Sequence, residues 1–212
     1  MKKTTILSLD GGGIRGIITC IILRYIEEQL QIQDKPGAKL GDYFDLVGTN
    51  IGGGKRNFAT MTLDGWDEVV AANLSGLFYC CHAVIPGMRA RRDGLIINVS
   101  SWAGRYASQL TGPAYNATKR AVIAVTESIN IEECRNGIRA TSILPGEVAT
   151  PILEKRPVPP SPEERARMAQ PEDLGAAILF VASLPARTCV NELIISPTWN
   201  RFYTGGLETP KA

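Results

Sequence analysis

Short apolar runs alternating with stretches of helical period leave this chain few possible architectures. Leu95–Val99 (LIINV) is unalternated, as a strand covered on both faces requires, and Ile138–Leu144 is a second buried run, ended by Pro145-Gly146. Val190–Ser196 supplies a third strand. Helical patterns lie between them: Tyr115 to about Cys134, and a stretch from Pro171 through Leu174, Ile178 and Val181. Strands and helices in strict alternation predict a three-layer α/β sandwich with a mostly parallel sheet.

The rest of the chain extends the pattern. Thr4–Leu9 reads as a strand ending at Asp10-Gly11-Gly12-Gly13, Ile14–Leu30 as a helix, and Tyr43–Val47 as a short strand before the glycines of 48–54. From Leu63, the residues Trp66, Val70, Leu74, Leu77, Cys81, Val84 and Met88 recur at three and four and predict one long helix with an apolar stripe. Gly76 within it suggests close packing against a neighbour. Ser161-Pro162-Glu163-Glu164 has the form of a helix start. With 212 residues and 44% apolar content, residues 1–212 are expected to form a single domain.

A net charge of +2, from 23 basic and 21 acidic residues, argues against nucleic acid or an anionic membrane as partner. The five cysteines contain no CxxC, and His82 stands alone, so no metal site is expected. Cys20, Cys80 and Cys81 lie in apolar runs and read as buried thiols in a reducing compartment. The apolar stretches read as short of a bilayer span, and Lys2-Lys3 lead directly to a glycine loop rather than a signal segment. A cytoplasmic protein is expected.

Two sets of residues carry chemistry. The loop Gly11-Gly12-Gly13-Ile14-Arg15-Gly16 between a strand and a helix presents backbone N–H groups suited to an oxyanion or a phosphate. Tyr115 and Lys119, four residues apart, share one side of a helix, and an ammonium beside a phenol favours the phenolate and thus proton transfer. Ser100 and Ser101 follow a strand, at the edge where open α/β sheets hold ligands, and a hydroxyl there can orient a carbonyl oxygen.

Each set resembles a known family. Residues 4–52, with DGGGIRG and then Gly48-Thr49-Asn50-Ile51-Gly52, resemble the start of the patatin-like phospholipases, whose GTSxG elbow carries a nucleophilic serine. Asn50 stands at that position here, and an amide cannot attack as an activated hydroxyl does, which makes an acyl hydrolase the least favoured reading. Residues from about 58 to 204 resemble the short-chain dehydrogenase/reductase family. The matching pieces are Asn73 in NLSG, INVSSWAG at 97–104, Tyr115-Asn116-Ala117-Thr118-Lys119, and Pro145-Gly146-Glu147-Val148-Ala149-Thr150. This resemblance implies a Rossmann-like sandwich and hydride transfer between NADP or NAD and an alcohol or carbonyl compound.

The same resemblance implies roles. Tyr115 would be the general acid/base, Lys119 its activator and a ribose ligand, and Ser101 the group that orients the substrate oxygen, with Ser100 the competing choice. Asn73 would support the arrangement behind Lys119. Pro145, Gly146 and Thr150 would lie along the nicotinamide. The family's glycine fingerprint fits loosely, with Gly12 and Gly16 on its first two glycines and Ile18 on the third, and Asn50 and Gly52 fall on its NNAG segment.

Only one helix and one short strand separate the glycine loop from Gly48, so the sheet is expected to be shortened, with strands in chain order from an open edge at the first. Residues 1–52 then form a patatin-like segment in place of the usual nucleotide-binding half, and 53–212 a dehydrogenase-like catalytic portion. The alternative is a catalytically impaired or inactive fusion or truncation product, its junction near Asn50. The resemblance also implies a homodimer or homotetramer.

Overall fold

The computed structural model describes residues 5–8, 46–48, 55–150, 153–154 and 159–203. The strands are β1 (Thr5–Ser8), β2 (Leu46–Gly48), β3 (Gly94–Val99), β4 (Ile138–Pro145) and β5 (Glu192–Ile195). The helices are α1 (Leu63–Val70), α2 (Gly76–Arg91), α3 (Trp102–Arg105), α4 (Gly112–Glu133), α5 (Pro162–Ala166) and α6 (Pro171–Ser183). A π turn, Ala71–Ser75, joins α1 to α2 without a break. The expected helix at 14–30 lies outside the described residues.

All five strands pair in parallel, in the order β2-β1-β3-β4-β5. This corrects the expected order: β1 is not at the edge. Ile6 stands opposite Leu46 on one side and Ile96 on the other. Pairing on both sides satisfies β1's backbone, and β2, only three residues long, takes the outer place, where a short strand offers few unpaired groups.

The period-two alternation of β3 divides its side chains between two cores. Leu95, Ile97, Val99 and Ile143 pack with Leu174, Ile178 and Val181 of α6. On the other face Ile96, Ile138 and Ala140 pack with Leu77, Cys81 and Met88 of α2 and with Val122 and Ile129 of α4. Helices on both faces of a parallel sheet make a Rossmann-like three-layer α/β sandwich.

The long helix departs from its simple stripe. Val69 is the buried residue of α1, whereas Trp66 is 38% exposed. The π turn carries one extra residue per turn and rotates the phase, so that Asn73 becomes fully buried and Leu77, Cys81 and Met88 face the sheet. Gly76 has no close neighbour: the nearest atom to a Cβ there is Ala71 O of its own helix, 3.4 Å away. The helix also corrects the reading of short apolar stretches. No charged residue stands between Glu68 and Arg89, and Leu63–Arg91, 29 residues with a window of mean hydropathy 1.5, is long and apolar enough to cross a membrane. Leu77, Cys81 and Met88 pack against the sheet, and 22% of that window is buried.

Ser161 begins α5 as expected: its Oγ accepts from Glu164 N–H, and the Glu164 carboxylate accepts from Ser161 N–H. Of the thiols read as buried, Cys81 is buried, Cys80 is half-buried, and Cys20 lies outside the described residues. Burial pushes the Cys81 thiol up to about 12.

Candidate active site

Because β3 and β4 run in parallel, Ser100-Ser101 and Gly146–Thr150 leave the sheet at one edge, its carboxyl edge. The α4 helix crosses behind this edge and carries Tyr115 and Lys119 toward it. Lys119 is fully buried, and its Nζ donates to Val99 O, the last carbonyl of β3, at 3.0 Å. That bond gives the desolvated ammonium a fixed acceptor at the strand terminus. The same Nζ lies 5.3 Å from the centroid of the Tyr115 ring. The spacing of four has therefore put both groups on one side of the helix.

The two serines have different surroundings. Ser100 is fully buried, and its Oγ donates to Lys119 O at 2.7 Å, tying β3 to α4. Ser101 is half-buried, and its Oγ accepts from Ala103 N–H at 3.2 Å as the cap of α3. A cap uses an acceptor lone pair, so the Ser101 O–H keeps its donor capacity. Gly104 permits this arrangement: a Cβ there would stand 2.6 Å from Ser100 Oγ and 2.8 Å from Lys119 O. Here, rather than at Gly76, a glycine allows close approach.

Asn73 sits in the π turn and donates through Nδ2 to Thr118 Oγ1 at 3.3 Å. Thr118 in turn donates to Ala114 O at 2.8 Å, one turn back along α4. The asparagine thus reaches the residue preceding Lys119. Thr118 was not singled out from the sequence, and its place in the run Tyr115–Lys119 was the available signal. A second buried pair, Asn98 Nδ2 to Thr126 Oγ1 at 3.0 Å, links β3 and α4 further along.

On the opposite side of the edge, Gly146 N–H donates to Ile195 O at 2.7 Å and Ala149 N–H to Ala169 O at 2.8 Å. Thr150 is buried and borders a cavity of about 580 Å³ shared with Glu154, Arg165 and Gln170. Arg165 and Glu154 form an ion pair across it at 2.6 Å. Of the residues weighed for an apolar pocket, Leu153 is buried, Met168 is half-buried, and Ile152 lies outside the described residues. Gly12, Gly16, Asn50 and Gly52 also lie outside them. Among the described residues no cluster of metal-ligating side chains occurs.

A parallel sheet with a Tyr-Lys pair and a serine at its carboxyl edge defines a class, and comparison with known proteins agrees. A family profile described as short chain dehydrogenase matches residues 25–159. The chain belongs to that family. An uncharacterized oxidoreductase of Staphylococcus haemolyticus is 33% identical over 135 residues, 64% of this chain and 56% of the relative. One from Staphylococcus aureus is 31% identical over the same length. The chain therefore spans a little over half the length of these relatives.

Among solved structures, an oxidoreductase of the short chain dehydrogenase/reductase family from Burkholderia thailandensis superposes with a TM-score of 0.68 at 25% identity, covering 96% of each chain. A serine dehydrogenase complexed with NADP+ gives 0.64 at 22% identity, over 91% of this chain and 95% of that one, and shares the fold. The family match begins ahead of residue 58 and ends at 159, within the stretch of 58–204 that carries the sequence motifs, and it runs through Asn50. The comparisons lend no support to the patatin-like resemblance, nor to a junction of two coding segments.

Proposed function

We propose that this chain carries the catalytic apparatus of an oxidoreductase that moves a hydride reversibly between NADP or NAD and an alcohol or carbonyl carbon. The observation that carries the reading is the buried Lys119 ammonium, anchored on Val99 O at the strand terminus and lying against the Tyr115 ring. In this reading Tyr115 moves the proton to or from the substrate oxygen, and Ser101 donates its O–H to that oxygen. Lys119 stabilises the phenolate through its charge and holds the ribose. Asn73 acts one step further away, through Thr118.

The residues present fit the nicotinamide end of such a cofactor. A Cβ on Gly146 would stand 3.1 Å from Ser196 Cα, so glycine lets this loop pack closely on the chain after β5, while Thr150 borders the adjoining cavity. When bound, the nicotinamide would supply or accept the hydride, with Pro145, Gly146 and Thr150 along it. Protonation and orientation belong to Tyr115, Lys119 and Ser101.

The competing reading is a catalytically impaired member of the family, favoured by the sequence between the glycine loop and Gly48, which has room for only one helix and one short strand. An assay with reduced and oxidised nicotinamides and a panel of alcohols and ketones separates the two. Tyr115→Phe is expected to lower turnover at least about 100-fold while leaving cofactor affinity nearly intact. Unchanged turnover would remove Tyr115 from its role. We further propose a homodimer or homotetramer, supported by Phe78 and Tyr79 of α2, exposed at 50% and 67%. A cytoplasmic location is in keeping with four free cysteines among the described residues.

A further inference from the structure

Building on the nicotinamide reading above, we propose that Arg201 is a positioning residue that locks the loop Gly146–Thr150 to the helix following Ser101. Arg201 lies beyond β5, in a turn closed by Tyr203 N–H to Asn200 O at 2.9 Å and Phe202 N–H to Asn200 Oδ1 at 3.0 Å, with Asn200 buried. Its Nη2 donates to the Glu147 carboxylate, and the two side chains are only 12% and 13% exposed. Glu147 stands between the two backbone anchors of the loop, Gly146 N–H on Ile195 O and Ala149 N–H on Ala169 O.

The same turn grips the other side of the site. The Arg201 guanidinium lies 5.8 Å from the Phe202 ring centroid, and Phe202 stacks on Trp102 at 6.2 Å with an interplanar angle of 8°. Trp102 immediately follows Ser101 and opens α3. Tyr203 and Tyr106 also pack on the Trp102 ring, at 5.6 and 4.5 Å. One arginine thus connects the Pro145-Gly146 loop, by charge, to the Ser101 helix, by aromatic packing. A little-screened pair of this kind holds its geometry tightly, because with both side chains nearly buried solvent weakens their attraction little. The parts it joins are those whose relative placement governs alignment of a carbonyl with a hydride donor, where small displacements are costly.

The test uses the full chain as wild type, Arg201→Met, Arg201→Lys, Glu147→Gln and the double variant Glu147→Gln/Arg201→Met. Without cofactor, amide hydrogen exchange in Arg201→Met is expected to quicken about tenfold in peptides covering 102–106, 146–150 and 200–203, and not elsewhere. In NADH and NADPH titrations Kd is expected to rise about tenfold, with Arg201→Lys staying within about threefold of wild type. The double variant should be no worse than either single one, because both break one contact. Glu147→Gln removes the charge of the pair while keeping the arginine's packing, and serves if Arg201→Met does not fold. Exchange that is unchanged, or raised throughout the chain, overturns the proposal. Local quickening with unchanged Kd overturns the positioning role. If wild type binds no nicotinamide, the functional reading fails, and the exchange result still decides whether the clamp exists.

Discussion

The two faces of the sheet use different materials. The face under α6 is mainly apolar, with Leu95, Ile97, Val99 and Ile143 against Leu174, Ile178 and Val181. Its polar members are Thr141 and Arg139, the latter donating to Leu184 O at the end of the helix. The face under α2 and α4 mixes its apolar core with buried polar pairs: Asn98 on Thr126, Asn73 on Thr118, Ser100 on Lys119 O, and Lys119 on Val99 O. Apolar packing contributes stability but fixes orientation only loosely, whereas a buried hydrogen bond fixes direction and is expensive to leave unmade. The difference separates the face that stabilises the sheet from the one that aims side chains at its carboxyl edge.

Ile178→Ala tests the stabilising face. The side chain is fully buried, so the variant is expected to lose about 2–5 kcal/mol of folding stability in urea denaturation. Its specific activity below the transition should stay close to wild type. A large fall in activity with small loss of stability would erase the distinction between the faces.

Thr118→Val applies the same measurement to the aiming face. It keeps side-chain volume but removes the acceptor used by Asn73 Nδ2, at a cost of about 1–3 kcal/mol. Here activity should fall by more than the change in stability at the assay temperature explains. Equal effects on both quantities would mean the Asn73–Thr118 bond only holds the helices together.

The smallest expected effect concerns pH. The Arg89 guanidinium, hydrogen-bonded to Glu133, holds the Glu133 carboxyl below the ordinary carboxylate value. A depressed folded-state value contributes stability above the unfolded value, about 4.3, and that contribution is lost as pH falls toward the folded one. Glu133→Gln should therefore flatten the acid side of the stability profile slightly, since Arg89 is half exposed. It should leave turnover unchanged, because the pair joins α2 to the far end of α4. An unaltered acid limb would show that other carboxylates govern it.

Much of this was written locally in the chain. The runs that became β3, β4 and β5, the spacing of Tyr115 and Lys119, and the capping box at Ser161 depend on near neighbours, and local rules reach them. The π turn did not show in the three-and-four pattern from Trp66 to Met88. It accompanies a bond between Asn73 and Thr118, 45 positions apart. The choice between Ser100 and Ser101 as the exposed hydroxyl likewise depends on Lys119 O, 19 positions away. The Arg201–Glu147 clamp spans 54 positions and has no local signature. The strand order was misread for a similar reason: β1's pairing on both sides is a property of the assembled sheet.

The central claim is that the edge shared by β3 and β4 holds a nicotinamide against Tyr115 and Lys119. Following NADH and NADPH fluorescence while titrating the full chain, beside Lys119→Met, tests it most directly. The account predicts saturable binding of at least one nicotinamide by the wild type, weakened in Lys119→Met. Absence of binding to either at millimolar concentration, or equal binding by Lys119→Met, would contradict it.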